Sequence, residues 1–116
     1  MSLISEIKSA LVPLNIPTRR LRLNKEDEEK NYDQYIIVYF LNEYGILFGD
    51  DEEIATAHSI QISLFTRLNF EQTVKEIKKL LKPLGFMRTS EYEIYEYETG
   101  YYHKVIRFSY ANETEE

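Results

Sequence analysis

The sequence predicts an α+β fold: a mixed or antiparallel sheet of about four to six strands with two helices packed on it. Three observations carry that prediction. Residues 35–41 are β-branched or aromatic almost throughout. Residues 70–84 repeat apolar side chains at helical spacing. Residues 60–67 and 101–110 alternate in a period of two, as half-buried strands do.

The elements follow in order. Leu3, Ile7, Leu11 and Leu14, widened by Ile4 and Ala10, form an apolar stripe. They predict a short helix that stops near Leu11 or Val12, ahead of Pro13. Residues 16–23 alternate weakly, Leu21 and Leu23 against Arg20 and Arg22, and predict a short strand or extended arm. Residues 24–31 are charged with no apolar anchor, which predicts a flexible, solvated loop. Residues 35–41 are apolar on both faces and are expected to run centrally, covered on each side. A turn is expected at Asn42–Gly45, with Ile46, Leu47 and Phe48 continuing or pairing with that strand.

A second acidic loop is expected at Asp50, Asp51, Glu52 and Glu53, then a long strand from Ile54 to Arg67. Asn69 is read as the next helix's N-cap, with Gln72 as partner in a capping box. Phe70, Val74, Ile77, Leu81 and Leu84 make the buried stripe, and Pro83 and Gly85 end it. Two strands then flank Glu98-Thr99-Gly100, with Gly100 closing a three-residue loop through a bulge. Glu91, Glu93 and Glu96 on the first strand face Lys104 and Arg107 on the second, a pairing that helps set register. The core is expected to use Ile36, Val38, Phe40, Ile60, Ile62, Leu64, Ile106 and Phe108. Residues 112–116 read as a frayed tail.

Composition narrows the function. The 116 residues fit one domain, 1–116, with neither an internal repeat nor a linker expected. With no cysteine, disulfides and thiolate metal sites are excluded, which fits assembly inside a cell. The net charge of −6 argues against a protein that wraps nucleic acid, which needs a basic face. The opening residues carry neither a basic start nor a long apolar core, so no secretory leader is expected. The apolar run 35–41 is far shorter than the roughly 20 residues of a membrane span, so no membrane is expected.

Catalytic patterns are missing. The four glycines make no phosphate loop, and no Gly-x-Ser-x-Gly surrounds Ser59 or Ser63. His58, near the acidic residues 50–53, would be one ligand of a metal set; a sheet-edge role explains it more simply. His103 has neither a nucleophile nor a paired base and reads as a packing residue. The acidic run 50–53 lacks the alternating ligands of a calcium loop and reads as solvated, or as an electrostatic docking patch. The chain holds 10 tyrosines and no tryptophan, and the tyrosines after residue 91 are interleaved with glutamates. That pattern favours subunit contact over a stacking platform for single-stranded nucleic acid. No enzymatic activity and no cofactor are expected, and the interface candidates are Asp50, Asp51, Glu52, Glu53, Tyr95, Tyr97, Thr99 and Tyr101.

The order of elements resembles the small tail-terminator, or tail-completion, proteins of long-tailed bacteriophages and prophages. The resemblance is carried by the strand Tyr35-Ile36-Ile37-Val38-Tyr39, an acidic loop, and a long strand ending Ile60-Gln61-Ile62-Ser63-Leu64-Phe65-Thr66. A helix over 70–84, the Gly85-Phe86 step, an acidic-aromatic strand and the closing strand His103–Phe108 complete it. It covers the chain from about Tyr35 onward, as element order and residue type rather than a catalytic motif. It implies a structural virion protein that caps the tail tube, stops its polymerisation and joins it to the head connector. Its implied partners are further copies of itself in a ring, commonly hexameric, the tail tube protein and the head-tail connector protein. DNA would cross the channel without sequence-specific binding. The implied place is the head-proximal end of the tail, after assembly in the host bacterial cytoplasm. The alternatives are a head-tail adaptor or minor capsid protein, or a small protein-binding regulator of a mobile element.

Overall fold

The computed structural model describes residues 2–48 and 52–113, with the backbone alone over 42–48, 52–57 and 111–113. The element order is α1 (Leu3–Leu11), β1 (Thr18–Arg20), α2 (Lys25–Lys30), β2 (Gln34–Phe48), β3 (Glu52–Thr66), α3 (Glu71–Leu81), β4 (Met87–Tyr95) and β5 (Tyr102–Glu113). The described strands form one mixed sheet in the order β1-β2-β3-β5-β4. Among the described strands only the β1–β2 pair is parallel. This is the α+β arrangement expected, with α1 and α3 packed against each other on the sheet.

The sheet's two faces follow from its register, because residues paired across neighbouring strands project to the same side. Ile36–Leu64, Val38–Ile62–Ile106 and Phe40–Ile60–Phe108 form rows on the helix-bearing face. They meet Ile7 and Leu11 of α1 and Val74, Ile77 and Leu81 of α3 in one buried cluster. All eight sheet positions expected in the core belong to it, Phe40 partly buried. The opposite face differs from the expectation of cover on both sides. Neither long helix lies there, yet Ile37, Ser63 and Val105 are buried in one cross-strand row. Longer side chains flank that row: Tyr35, Phe65 and His103 on one side, Tyr39, Gln61 and Arg107 on the other.

Several local expectations are corrected. Residues 25–30 are helical where a loop is expected. Asn24 caps Asp27 N–H, and Asp27 reaches back to Asn24 N–H, a complete capping box. Asp27 is then buried by Arg19, so the charged stretch does have an anchor, an ionic one. Strand β1 stops at Arg20 because Leu21 is left-handed (φ 70°), which breaks the alternation read through Leu23. No turn falls at Asn42–Gly45: β2 runs on to Phe48, with a bulge at Leu41 that shifts the register against β3. At α3 the N-cap is Phe70. Asn69 Oδ1 accepts the Glu71 N–H, while Gln72 bonds Glu76, so no capping box closes there.

A repeat that the sequence reading does not expect is plain once the helix ends are compared. Glu6-Ile7-Lys8, Leu11 and Pro13-Leu14-Asn15 recur as Glu76-Ile77-Lys78, Leu81 and Pro83-Leu84-Gly85. Both helices pass into a three-residue 3-10 turn containing the proline, where its missing N–H leaves no helical bond broken. Both turns end on a left-handed residue, Asn15 (φ 54°) or Gly85 (φ 92°), which redirects the chain into an edge strand. One helix–turn device therefore delivers both edges of the sheet, β1 and β4.

Candidate interaction surface

Exposed apolar side chains gather on the β4–β5 hairpin. Met87, Tyr92, Ile94, Tyr95, Tyr97 and Tyr102 are all exposed there. Strand β4 pairs only with β5, so its outer row of backbone N–H and C=O groups has no strand partner. At its end Tyr97 is 89% exposed and meets Tyr95 edge-on at 4.9 Å. Tyr95 leans on Tyr102 (4.8 Å), and Tyr102 on Phe70 at the start of α3 (5.5 Å). The four rings make a continuous string from α3 to the hairpin tip.

Gly100 (φ 78°) donates its N–H to the Glu96 carbonyl, and Glu96 N–H reaches the Tyr101 carbonyl. Two residues thus oppose one, the glycine bulge expected, although the loop spans residues 97–100 and is one residue longer. Thr99 at the tip is exposed, and its hydroxyl donates to Glu96 and accepts the Tyr101 N–H.

Tyr101 is a correction. It is 7% exposed and serves as an internal peg rather than a contact surface. Its hydroxyl donates to the Tyr32 carbonyl, and its ring lies edge-on to Tyr35 at 5.4 Å. The guanidinium of Arg67 sits 4.1 Å above it. Arg67 also donates to the Thr99 carbonyl and the Asn31 side chain. It thereby ties the hairpin to the segment after α2. Nothing in the sequence marks Arg67, since all its partners are remote.

The acidic candidates are described only in part. Asp50 and Asp51 are outside the described residues, as are the side chains of Glu52 and Glu53, whose backbone pairs with Phe48 and Leu47. From Glu53 to Thr66, beside the hairpin, is roughly 40 Å along β3 at the usual strand rise. The backbone at Glu52 and Glu53 is not brought to the hairpin candidates.

Charged groups on the hairpin are mostly answered within the chain. Lys78 of α3 donates to Glu91 (3.0 Å) and holds its carboxyl below the ordinary value. Glu93 faces Lys104 at a loose 3.8 Å, the expected cross-strand pair. Arg107 turns instead to Gln61 Oε1 and the Tyr92 ring. At the β1 edge, Arg19 grips Asp27 through Nε and Nη2 (2.9 and 3.0 Å), and Tyr32 adds a third bond. The Arg19 bonds are the main reason that the Asp27 carboxyl titrates below its usual range.

Both histidines lie against aromatic rings. His103 stacks on Phe65 at 4.1 Å, and burial lowers its pKa. His58 lies 5.8 Å from the Tyr110 ring. Among the described residues no group of His, Asp or Glu is placed to hold a metal, and no helix is long and apolar enough to cross a membrane. No protein-family model matches the chain, and no curated protein sequence matches it.

Proposed function

We propose that the protein is a structural component of a long-tailed phage or prophage particle. It caps the tail tube, stops its growth and joins it to the head connector as a ring of identical copies, with no catalytic step. The reading begins from the resemblance in element order. The observation that carries it furthest is the sheet's pair of unlike open edges: β1, three residues long and rich in arginine, and β4, nine residues long, acidic and aromatic. Unlike edges on opposite sides of one subunit favour head-to-tail contact, which closes into rings, over a two-fold dimer. An antiparallel β4–β4 pair keeps faces matched across its two-fold axis. Centred on residue 91, 92 or 93, it sets Glu91 against Glu91, Glu91 against Glu93, or Glu93 against Glu93. A chain of net charge −6 also suits a channel that DNA crosses without adhering.

Native mass spectrometry at high concentration, with negative-stain imaging, tests the reading. A closed ring with a central hole is the expected result. A protein that stays monomeric both alone and on purified tail tubes would reject it. The free edge of β4 also suits an added strand from a partner protein, as a small regulator would use it. A stable one-to-one complex without a ring would select that alternative.

A further inference from the structure

We infer that the contact between copies joins the β4 hairpin of one chain to the β1 edge of the next, by charge as well as by apolar fit. The inference rests on the head-to-tail reading above and names its surfaces.

The two edges are complementary. Residues 8–25 contain five cations, Lys8, Arg19, Arg20, Arg22 and Lys25, and no carboxylate, in a chain whose net charge is −6. Only Arg19 is neutralised, by Asp27; among the described residues the other four make no ion pair. Arg20, Arg22 and Lys25 line one concavity together with a single carboxylate, Glu28. A separate open groove of about 250 Å³ is lined by Leu11, Val12, Ile16 and Pro17 together with Lys8 and Arg19. Across the sheet, about 19 Å away at the usual strand spacing, residues 87–101 carry four glutamates and one arginine, and of these glutamates Glu96 and Glu98 make no ion pair among the described residues. The exposed apolar side chains there, Tyr97, Met87 and Ile94 foremost, match the groove's apolar lining.

The helix–turn repeat sharpens the assignment. Lys78 meets Glu91 of its own following strand. Its counterpart Lys8, thirteen residues before Leu21 as Lys78 is before Glu91, finds no carboxylate on β1. A glutamate from a neighbouring hairpin supplies the missing partner. Pro17 and left-handed Leu21 keep β1 short. The contact is therefore made mainly by side chains at the edge rather than by a long added ladder.

Charge reversal tests this directly, with oligomeric mass read by analytical ultracentrifugation. One variant carries Glu93→Lys and Glu98→Lys; a second carries Lys8→Glu and Arg22→Glu. All four positions are exposed, so both variants should keep the wild-type circular dichroism; the first gives up the loose Glu93–Lys104 pair and should melt slightly lower, the second as wild type. Each alone should assemble at least about tenfold more weakly than wild type. An equimolar mixture of the two should recover assembly, because every junction in an alternating ring again pairs opposite charges. A single chain carrying all four changes should recover it as well. Wild-type-like assembly of either variant, or no rescue in the mixture, overturns the edge assignment while the wild-type ring still stands. A wild type that never assembles overturns the ring reading with it.

Discussion

Tyr101 shows how much one side chain decides at the base of the hairpin. Its hydroxyl satisfies the Tyr32 carbonyl, and its ring carries Arg67. Tyr101→Phe is expected to cost about 0.5–1.5 kcal/mol in denaturant unfolding, because the Tyr32 carbonyl loses its partner in a half-buried setting. An unchanged midpoint would remove the peg role. His103 gives the chain a pH dependence. Burial lowers its folded pKa, so the unfolded chain binds the proton more readily. The stability it contributes is whole above the ordinary histidine value of about 6.5 and is lost as pH falls toward the lower folded value. His103→Phe should keep the stack on Phe65 and flatten the fall in melting temperature between about pH 7 and 5. An equally steep fall in the variant would place the titration elsewhere.

At the scale of the element, the ends of the helices and strands are the sensitive points. Gly85 (φ 92°) ends the turn after α3, and an added Cβ would lie 3.2 Å from the Tyr110 ring. Gly100 (φ 78°) is equally left-handed, but a Cβ there meets nothing within 4 Å. Both alanine variants carry a backbone penalty of about 1–2 kcal/mol. Gly85→Ala should be the more destabilising, since it adds a tight contact, and thermal melts of the pair would show the order. Helix α3 buries Val74, Ile77 and Leu81 against the sheet. Val74→Asp places an unpaired charge there and should abolish cooperative folding. A soluble variant with a sharp melt would contradict that placement.

The whole molecule measures 52 × 26 × 24 Å, drawn out by strands β2 and β3 of fifteen residues each. The aromatic hairpin tip and the backbone of Glu52 and Glu53 belong to opposite ends of β3, which suits a subunit that meets different partners at each end. Asp50→Lys with Asp51→Lys is expected to leave the melting curve intact and impair joining of tails to heads, measured by in vitro complementation. Normal joining would deny the acidic segment a docking role.

What the sequence alone determined is the layered α+β plan. The stripes Leu3-Ile7-Leu11 and Val74-Ile77-Leu81 and the alternation of Ile60-Ile62-Leu64 state which face is buried, because periodicity is a local property of the chain. The Pro-Leu-Asn and Pro-Leu-Gly helix ends were equally legible, although their kinship shows only when both are seen to launch edge strands. The tertiary structure decided the rest, where partners distant in sequence choose. The capping box that starts helix α2 is local, but what anchors and buries Asp27 is Arg19, eight residues away. Tyr101 left the surface because Tyr32 and Arg67 lie across its path. Strand order set the arginine-rich and glutamate-rich segments on opposite edges, since pairing energy depends on register between segments that no local pattern encodes.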